Sequence, residues 1–403
     1  MNMLIVGNGF DLAHGRPTRY EDFLKFLGQI SRTRNYHGRK EQFEETIAGL
    51  QLHTEVKKYI LSAFATRANF RNNIANNSNP AVQELYECSD ENVWYEYFQV
   101  ITRKDIMRGK NWIDFESEIL KVIQFFDEKF NDLYDPLYAQ LKDYGPFDDK
   151  ISAFWSKLKF SEYNKSKGRA EDYKNTCFDF IEKTYQDLER LIRCLEIYLD
   201  DCIVRAPIGC CSPDIQGLQI DSVLSFNYTA IPTDTYPLLT NTHYIHGRAQ
   251  SNQPVADNNM VLGVNEYWEG SEKNFRTNFN LYKKFVQRII KETGVGYKST
   301  LDQMKSEYED SEQRHNQRKD YFNLRYNNVY IFGHSLDITD GDILREVILT
   351  PGVITTIFYR NKQQQANQIA NLSKVLGQDE LLKRTFNTSP TIIFKKQADM
   401  VEL

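Results

Sequence analysis

The sequence predicts an α/β protein in which a parallel sheet is interrupted by a large helical insertion. Short apolar runs alternate with helical patterns at both ends of the 403-residue chain, which is typical of a parallel sheet. Between Gln29 and Cys211, strand-like runs are few and apolar residues recur at helical spacing. We therefore predict a discontinuous sheet domain, 1-30 and 216-403, and a helical insertion, 31-215, with at least five helices.

Composition places the chain among ordinary globular proteins. Hydrophobic residues make up 41%, charged residues 26%, and the formal net charge is −5. This charge gives no bulk basic field, so nucleic-acid partners are disfavoured. No apolar run approaches the roughly 18 residues of a membrane span, and the first apolar run is too short for a signal peptide. We therefore expect a cytoplasmic protein without a membrane partner.

No metal site is predicted. The six cysteines contain no C-x-x-C pair, and no His, Asp or Glu set has ligand spacing on a single element. Adjacent Cys210 and Cys211 are interpreted as buried thiols rather than as a redox site. A cytoplasmic location also argues against structural disulfides.

The first predicted strand leads directly into a glycine turn. Its apolar run, Met3 to Val6, is followed by Gly7-Asn8-Gly9-Phe10-Asp11, and a helical pattern begins near Tyr20. A strand, a glycine turn and a helix are how α/β folds present backbone N–H groups to phosphate. The spacing is not that of ordinary dinucleotide-binding domains, so a plain turn is the alternative. Polar side chains crowd the turn and favour binding: Asn8, Asp11, His14 and Thr18.

Because its apolar residues begin at the second or third position, the first strand is predicted to be central in its sheet. Further strands are predicted over 220–226, 242–245, 260–264, 329–332, 353–359 and 390–394. Three of them end in polar turns: Asn227-Tyr228-Thr229, His246-Gly247 and Gly333-His334-Ser335-Leu336. In an open parallel sheet, ligands bind outside the carboxyl ends of the strands. These turns and the turn at 7–11 are therefore predicted to meet in one cleft.

Two helical segments carry further expectations. Residues 271–325 are predicted as helix, with six apolar residues in phase: Phe275, Phe279, Tyr282, Phe285, Ile289 and Ile290. Near Trp112, either Asn111 or Asp114 is predicted to cap a helix with Glu116 in its first turn. The alternative is that Trp112, Asp114 and Glu116 border the site.

The polar turns together resemble the signature of a known family. The opening Asn8-Gly9-Phe10-Asp11-Leu12-Ala13-His14-Gly15-x-Pro17-Thr18-x-Tyr20-x-x-Phe23 resembles that of the AbiH family of bacteriophage abortive-infection proteins. Further matches are Trp112-x-Asp114-x-Glu116, Ser225-Phe226-Asn227-Tyr228-Thr229, Ile245-His246-Gly247 and Phe332-Gly333-His334-Ser335-Leu336 with Asp340. They follow in the family's order and span nearly the whole chain. The resemblance implies a role in defence against bacteriophage.

The same residues are similar, more distantly, to sirtuin-like NAD-binding domains. Gly7-Asn8-Gly9 takes the place of the Gly-Ala-Gly turn, and Gly333-x-Ser335 that of the last turn. The resemblance implies a Rossmann-like parallel sheet of sirtuin-like type, with NAD as substrate or ligand. Two departures argue against protein deacetylation: Thr229 stands where those domains have Asp, and no zinc-binding cysteine quartet exists.

This resemblance and the chemistry of cleaving a nicotinamide–ribose bond together suggest roles for individual residues. His246 is the candidate catalytic base, Asn227 orients the ribose or a water, and Asp11 holds the ribose or the nicotinamide amide. Nucleotide-binding roles are expected for Gly7, Asn8, Gly9, Phe10, His14, Thr18, Tyr228, Gly333, His334, Ser335 and Asp340. The alternatives are structural: a satisfied strand-end histidine for His246, a plain turn residue for His334, an Asx turn for Asn227 and helix packing for His14.

Three functions are compatible with these observations. The first is an anti-phage effector that hydrolyses NAD or a related nucleotide when infection is sensed. The second is a non-catalytic nucleotide-sensing module that engages a phage or host partner through the helical insertion. The third, a nuclease, is disfavoured by the net charge of −5 and the lack of clustered carboxylates. A phage or host protein as trigger and a homo-oligomer are compatible with each.

Overall fold

A computed structural model describes residues 1–64, 79–107, 114–132, 154, 170–317 and 323–403. It confirms the predicted α/β class with a parallel sheet. The sheet contains β1 (Asn2–Val6), β3 (Ser222–Ser225), β4 (Thr242–Tyr244), β5 (Asn327–Phe332), β6 (Val353–Tyr359) and β7 (Ile392–Lys396). A separate antiparallel pair consists of β2 (Cys210–Cys211) and β8 (Val401–Glu402).

The strand order explains where a ligand site can form. The order is β4-β3-β1-β5-β6-β7, and all five neighbouring pairs are parallel. As predicted, β1 is an interior strand. From β1 the chain continues to β3 on one side, whereas from β5 it continues to β6 on the other. The connections that follow β1 and β5 therefore diverge, and such a divergence opens a crevice at the carboxyl ends of the two strands.

Helices make up much of the remaining described chain. The α-helices are Asn8–Ala13, Tyr20–Thr33, Lys40–Gly49, Thr54–Ala63, Pro80–Ser89, Val93–Met107, Phe115–Asp132, Ala170–Ile197, Pro213–Gln216, Glu272–Phe275, Lys284–Ile290, Tyr297–Gln317, Gly341–Leu349, Lys362–Leu376 and Gln378–Phe386. A π-helix spans Tyr198–Val204, and single 3-10 turns span Val255–Asp257, Asn280–Tyr282 and Ile338–Asp340.

Internal contacts divide the chain into two compact units. The first comprises Met1–Thr18, Ala206–Ala249 and Lys291–Leu403 and contains both sheets; the second comprises Arg19–Arg205 and Gln250–Ile290. These units place residues 19–30 and 250–290 with the helical segment. The predicted domain bounds, 1-30 with 216-403 and 31-215, stay a prediction.

Apolar side chains cover both faces of the sheet in the first unit. Met3 and Ile5 belong to one buried cluster with residues of β5 and of the helices Tyr297–Gln317 and Gly341–Leu349. Leu4 and Val6 belong to a second cluster with Phe10 and Tyr236. Because successive side chains of a strand point to opposite faces, a strand covered on both faces must be apolar throughout. This explains the unbroken apolar run of β1.

The predicted strand over 260–264 is wrong. Met260, Val261, Leu262 and Val264 are buried, but they lie in the second unit. Only Val264 has strand-like pairing, through an isolated bridge to Lys283. A short buried apolar run does not by itself distinguish a strand from another buried segment.

The predicted return to helix over 271–325 is observed as several separate helices. It is divided into Glu272–Phe275, Asn280–Tyr282, Lys284–Ile290 and Tyr297–Gln317. Between the last two, Glu292 and Gly294 have φ of 50° and 74°, a left-handed conformation that ends a right-handed helix. The in-phase residues Phe285, Ile289 and Ile290 are 48%, 71% and 58% exposed.

The predicted helix cap at Asp114 is confirmed. Its carboxylate accepts hydrogen bonds from the Glu116 N–H at 3.0 Å and from the Ser117 hydroxyl at 2.6 Å. Glu116 forms an ion pair with the buried Lys284 at 2.7 Å within the second unit. Asn111 and Trp112 lie outside the described residues.

The turns that follow β1 and β5 pack backbone against backbone through glycine. The Gly9 N–H donates to the Gly333 carbonyl at 2.7 Å, and Gly333 has φ of 72°. A Cβ on Gly9 would lie 2.7 Å from the Gly333 oxygen, and a Cβ on Gly333 would collide with the Phe10 nitrogen. Only glycine at both positions allows this approach.

We expect Gly9→Ala to destabilise the first unit. The added methyl group would clash with the backbone of Gly333 and would have to displace the turn that follows β5. Overpacking of this kind costs about 1–3 kcal/mol. The measurement is urea unfolding of the full chain. Gly209→Ala is the matched control, since a Cβ at Gly209 meets nothing within 4 Å. Equal unfolding free energies for the two variants would contradict the proposed close contact.

Candidate functional site

A buried carboxylate connects the turn after β1 to the turn after β3. Asp11, in the helix Asn8–Ala13, is 1% exposed. Its Oδ1 accepts from Arg16 Nη1 at 3.2 Å. Its Oδ2 accepts from the Thr229 hydroxyl at 2.6 Å and from Asn227 Nδ2 at 3.0 Å. Asp11 thus holds together two turns that are far apart in sequence.

Opposing effects act on the ionisation of Asp11. Burial raises the pKa of its carboxyl, whereas the Arg16 guanidinium and the Thr229 hydroxyl act to lower it. Arg16 is itself buried, and its Nη1 also donates to the Ala230 carbonyl at 2.9 Å. These contacts account for Asp11 as an organising group of the site, and its predicted catalytic role stays a prediction.

Asn227 presents a buried acceptor beside this carboxylate. Its Nδ2 donates both to Asp11 and to the Gly7 carbonyl, each at 3.0 Å. Two acceptors on one nitrogen fix the orientation of the amide, because the oxygen cannot take that place. Among the described residues, Asn227 Oδ1 is buried without a hydrogen-bond partner. A buried polar atom of this kind is expensive unless a ligand or water supplies the missing donor.

A second carboxylate is shared by two histidines. Asp340 follows β5 at the start of the helix Gly341–Leu349. Its Oδ1 lies 3.0 Å from His246 Nε2, and its Oδ2 lies 3.5 Å from His334 Nε2. Both histidines are buried, and Asp340 is 12% exposed at its side chain. The residues that follow β4 and β5 therefore meet at one carboxylate.

The hydrogen bonds fix which ring nitrogens carry protons. The Leu336 N–H donates to His334 Nδ1 at 2.9 Å, so the proton of the neutral ring is on Nε2, toward Asp340. His246 likewise donates from Nε2 to Asp340, which leaves the lone pair of the neutral ring on Nδ1. Leu336 has φ of 60°, a strained conformation for a branched residue. The strained residue is the one whose backbone N–H orients the His334 ring.

Gly7 contacts residues of both clusters, the one around Asp11 and the one around Asp340. The Gly7 carbonyl binds Asn227, and a Cβ on Gly7 would lie 2.8 Å from His334 Cα. The Phe226 ring packs edge-on against both imidazoles, with centroids 5.4 Å from that of His246 and 4.4 Å from that of His334. The four predicted turns therefore come together at the carboxyl ends of β4, β3, β1 and β5.

The backbone of the glycine turn is hydrogen-bonded within the protein. The N–H groups of Gly7, Gly9 and Phe10 donate to the carbonyls of Phe332, Gly333 and Gly7, at 3.3, 2.7 and 2.8 Å. Phe10 also contributes its ring to the core. These contacts explain the two glycines of the turn without a phosphate. The nucleotide-binding roles of Gly7, Gly9, Phe10 and Gly333 stay predictions.

His14 is held in the core by both ring nitrogens. Burial raises the pKa of Tyr236 to about 12, so its hydroxyl keeps its proton. This hydroxyl accepts from the Ser212 N–H at 2.7 Å and donates to His14 Nε2 at 2.6 Å. His14 Nδ1 then donates to the Phe10 carbonyl at 2.7 Å. This geometry favours the helix-packing interpretation of His14, and its nucleotide-binding role stays a prediction.

The remaining predicted nucleotide-binding residues are more exposed. Asn8 is exposed, and its Oδ1 accepts from the Thr18 hydroxyl at 2.5 Å. Ser335 is exposed, and its carbonyl accepts from Asn371 Nδ2 at 3.0 Å. Tyr228 is half-buried. Their nucleotide-binding roles also stay predictions.

Sequence reasoning missed three residues of this site. Arg16 lies inside the opening signature, at a position that the signature leaves open. Its positive charge, five residues after Asp11, could have suggested that the two residues pair. Phe226 belongs to the matched segment 225–229 but was given no role, and Tyr236 gave no signal, because an aromatic residue in an apolar segment is ordinarily interpreted as core. Their contacts with His246, His334 and His14 depend on the folded sheet.

The part of the chain that the structure describes contains neither a metal-ligand cluster nor a membrane-spanning helix. No group of three His, Cys, Asp or Glu side chains there is arranged to hold a metal ion. None of the helices in that part is sufficiently long and apolar to cross a membrane.

We expect Arg16→Met to lower the free energy of unfolding by about 3 kcal/mol, because it leaves the buried Asp11 without its charge partner. Urea unfolding at pH 7 measures the effect. Lys298→Met is the control: its ion pair with Glu346 is at 3.0 Å, but the two side chains are 48% and 39% exposed. Removing such a pair costs less than about 1 kcal/mol. If both variants lost the same amount, Asp11 would not depend on Arg16.

His14 predicts a loss of stability in acid. Burial lowers the pKa of His14 below the ordinary value of 6.5. The unfolded chain therefore binds this proton first, so the stabilisation is present above pH 6.5 and is lost as pH falls toward the folded pKa. The expected slope is up to about 1.4 kcal/mol per pH unit. Unfolding free energies measured between pH 7 and 5 should fall less steeply for His14→Gln, and an unchanged slope would contradict this assignment.

Comparison with known proteins identifies the family. The family model described as Bacteriophage abortive infection AbiH matches residues 3–359. No curated protein matches the chain, and no solved structure does. The match contains the turns that meet at the site, including His246, His334 and Asp340, and it covers most of the chain. The chain therefore belongs to the AbiH family of bacteriophage abortive-infection proteins.

Proposed function

We propose that this protein acts in abortive infection by hydrolysing the N-glycosidic bond of NAD or a related nucleotide. Two observations carry the proposal: the Asp340 carboxylate is shared by His246 and His334, and Asn227, whose Oδ1 is buried, is bonded to the Gly7 carbonyl. A base oriented by a carboxylate, beside a buried acceptor, is what the attack of water on a sugar carbon requires.

His246 is the base in this proposal. Its Nε2–H is held by Asp340 at 3.0 Å, so Nδ1 carries the lone pair that accepts a proton. A carboxylate in this position fixes the tautomer and stabilises the imidazolium that forms, as in hydrolase triads. An unperturbed histidine titrates near pH 6.5, which suits a base at neutral pH. Asp340 is a positioning residue, because it acts through the two rings.

The proposed reaction is balanced without a metal or redox partner. The water oxygen bonds to the anomeric carbon of the ribose, while the bond from that carbon to the nicotinamide nitrogen breaks. The electron pair of the broken bond leaves with nicotinamide, which departs as a neutral molecule. The proton of the water passes to His246 Nδ1 and then to solvent. The products are nicotinamide and ADP-ribose.

Asn227 is proposed to bind the ribose. Its Oδ1 is an acceptor with a fixed direction, since Nδ2 is held by Asp11 and Gly7. No described residue donates a hydrogen bond to this oxygen, and a ribose hydroxyl would supply that donor. Asp11 then acts indirectly, because it holds the Asn227 side chain in one orientation. A fixed Asn227 lowers the entropy that is lost when the ribose is positioned for reaction.

The sheet supports a Rossmann-like cleft of sirtuin-like type as part of the proposal. Counted along the chain, its six strands lie in the order 3-2-1-4-5-6, which is the order of doubly wound dinucleotide-binding folds. The phosphates fit the turn at 7–10 less well, because the N–H groups of Gly7, Gly9 and Phe10 already donate within the protein. The proposal therefore depends on the sugar-facing residues.

The test uses bacteria that express the chain and are challenged with phage, so that any trigger is present. We expect NAD to fall and ADP-ribose and nicotinamide to rise after infection, as measured by mass spectrometry. His246→Gln should lower this turnover at least about 100-fold, since a general base contributes about 10²–10⁴. His243→Gln is the matched control, because it changes a histidine of β4 that is outside the site.

A second pair of variants tests the role of Asn227. Asn227→Ala and Thr229→Val each remove one donor to Asp11, but only the first removes the buried acceptor. Asn227→Ala should therefore lower turnover at least about tenfold more than Thr229→Val. Defence that persists in His246→Gln with NAD unchanged would refute hydrolysis and favour the nucleotide-sensing module.

A further inference from the structure

Two helices of the second unit bring a pair of thiols into contact. Cys88 lies in the helix Pro80–Ser89, and Cys194 lies in the helix Ala170–Ile197. The Cys194 thiol donates to the carbonyl oxygen of Leu85, about one turn before Cys88, with its sulfur 4.0 Å from that oxygen. It also interacts with the Cys88 thiol. Both cysteines are free thiols.

Ion pairs and hydrogen bonds hold the two helices together on both sides of these thiols. Arg193 binds the Glu84 carboxylate through Nε at 2.8 Å and Nη2 at 3.1 Å. Arg190 Nη2 donates to the Asp90 carbonyl at 2.6 Å. These contacts precede and follow Cys88 along its helix by no more than about one turn. They keep the two sulfur atoms near each other.

The two thiols differ in access to solvent and in acidity. Cys88 is half-buried, whereas Cys194 is fully buried. Hydrogen bonding between the two thiols lowers the pKa of the Cys88 thiol, and Arg190 and Arg193 act in the same direction. Burial raises the pKa of Cys194. The accessible thiol is therefore the one that ionises first, and the thiolate is the reactive form.

We propose that Cys88 and Cys194 form a reversible disulfide, with Cys88 as the thiol that a peroxide oxidises and Cys194 as the thiol that resolves it. In the first step the Cys88 sulfur bonds to one peroxide oxygen and the O–O bond breaks, which gives a sulfenic acid and water or an alcohol. In the second step the Cys194 sulfur attacks the Cys88 sulfur. The S–S bond forms, the S–O bond breaks and water leaves.

Three further cysteines, Cys202, Cys210 and Cys211, lack this combination of features. Cys202 is buried, and burial raises the pKa of its thiol. Cys210 and Cys211 are consecutive residues of β2, so their side chains point to opposite faces of the strand. This geometry separates their sulfur atoms. The inference concerns the second unit alone and does not depend on the proposed hydrolysis.

The test is treatment of the full-length protein with hydrogen peroxide, followed by tryptic digestion and mass spectrometry. We expect one disulfide-linked pair, of peptide 72–103 with peptide 194–205, as the principal product. Dithiothreitol should reverse it. Peptide 72–103 contains Cys88 as its single cysteine, whereas peptide 194–205 contains both Cys194 and Cys202.

Cys202→Ser is therefore the matched control, and it should keep the linked pair, while Cys88→Ser and Cys194→Ser should each abolish it. In Cys194→Ser, Cys88 should accumulate as sulfenic acid, which a dimedone probe labels. The proposal is overturned if the parent protein gives unlinked Cys88, oxidised or not, or if Cys202→Ser removes the linked pair. Because the parent protein decides the first outcome, a variant that fails to fold does not weaken the test.

Discussion

The site depends on the requirement that a buried carboxylate be surrounded by donors. Asp11 cannot lie at 1% exposure without them, and its donors come from Arg16 nearby and from Asn227 and Thr229 after β3. The bond from Asn227 joins residues 216 positions apart in sequence. The long helical segment between them can therefore be inserted without changing the turn geometry, because the ends of the sheet strands are fixed by this carboxylate and by the β1–β3 ladder. The direction of the Asn227 amide follows from the same contacts.

Asp340 solves a different problem with the same kind of group. Its two oxygens orient two histidines that come from different strand ends. The backbone N–H of the strained Leu336 donates to the other ring nitrogen of His334. Both rings therefore depend on the position of one side chain. In the proposed reaction Asp340 orients His246 directly, and His334 acts only through its contact with that carboxylate.

Strong local periodicity made much of the fold predictable from sequence. The strand over 353–359 was predicted with the bounds observed. The buried segment at 260–264 has no such period, and its pairing with Lys283 depends on chain that follows it, so it was mistaken for a strand. The meeting of the four turns followed from the parallel sheet, but the contacts within the site did not. Neither the sharing of Asp340 nor the bond between His14 and Tyr236 has a local sequence signal, since His246 is 94 positions from Asp340 and Tyr236 is 222 positions from His14.

The glycine contact between the turns after β1 and β5 has an evolutionary consequence. Gly9 and Gly333 occupy each other's Cβ space, so a substitution at one is rejected by the backbone at the other. Neither position can drift alone while the sheet keeps its register, and a compensating change would have to move both turns at once. The two ends of the sequence are therefore inherited as a single unit at these positions, and recombination between distant relatives should be tolerated within the helical segment more readily than between the two turns.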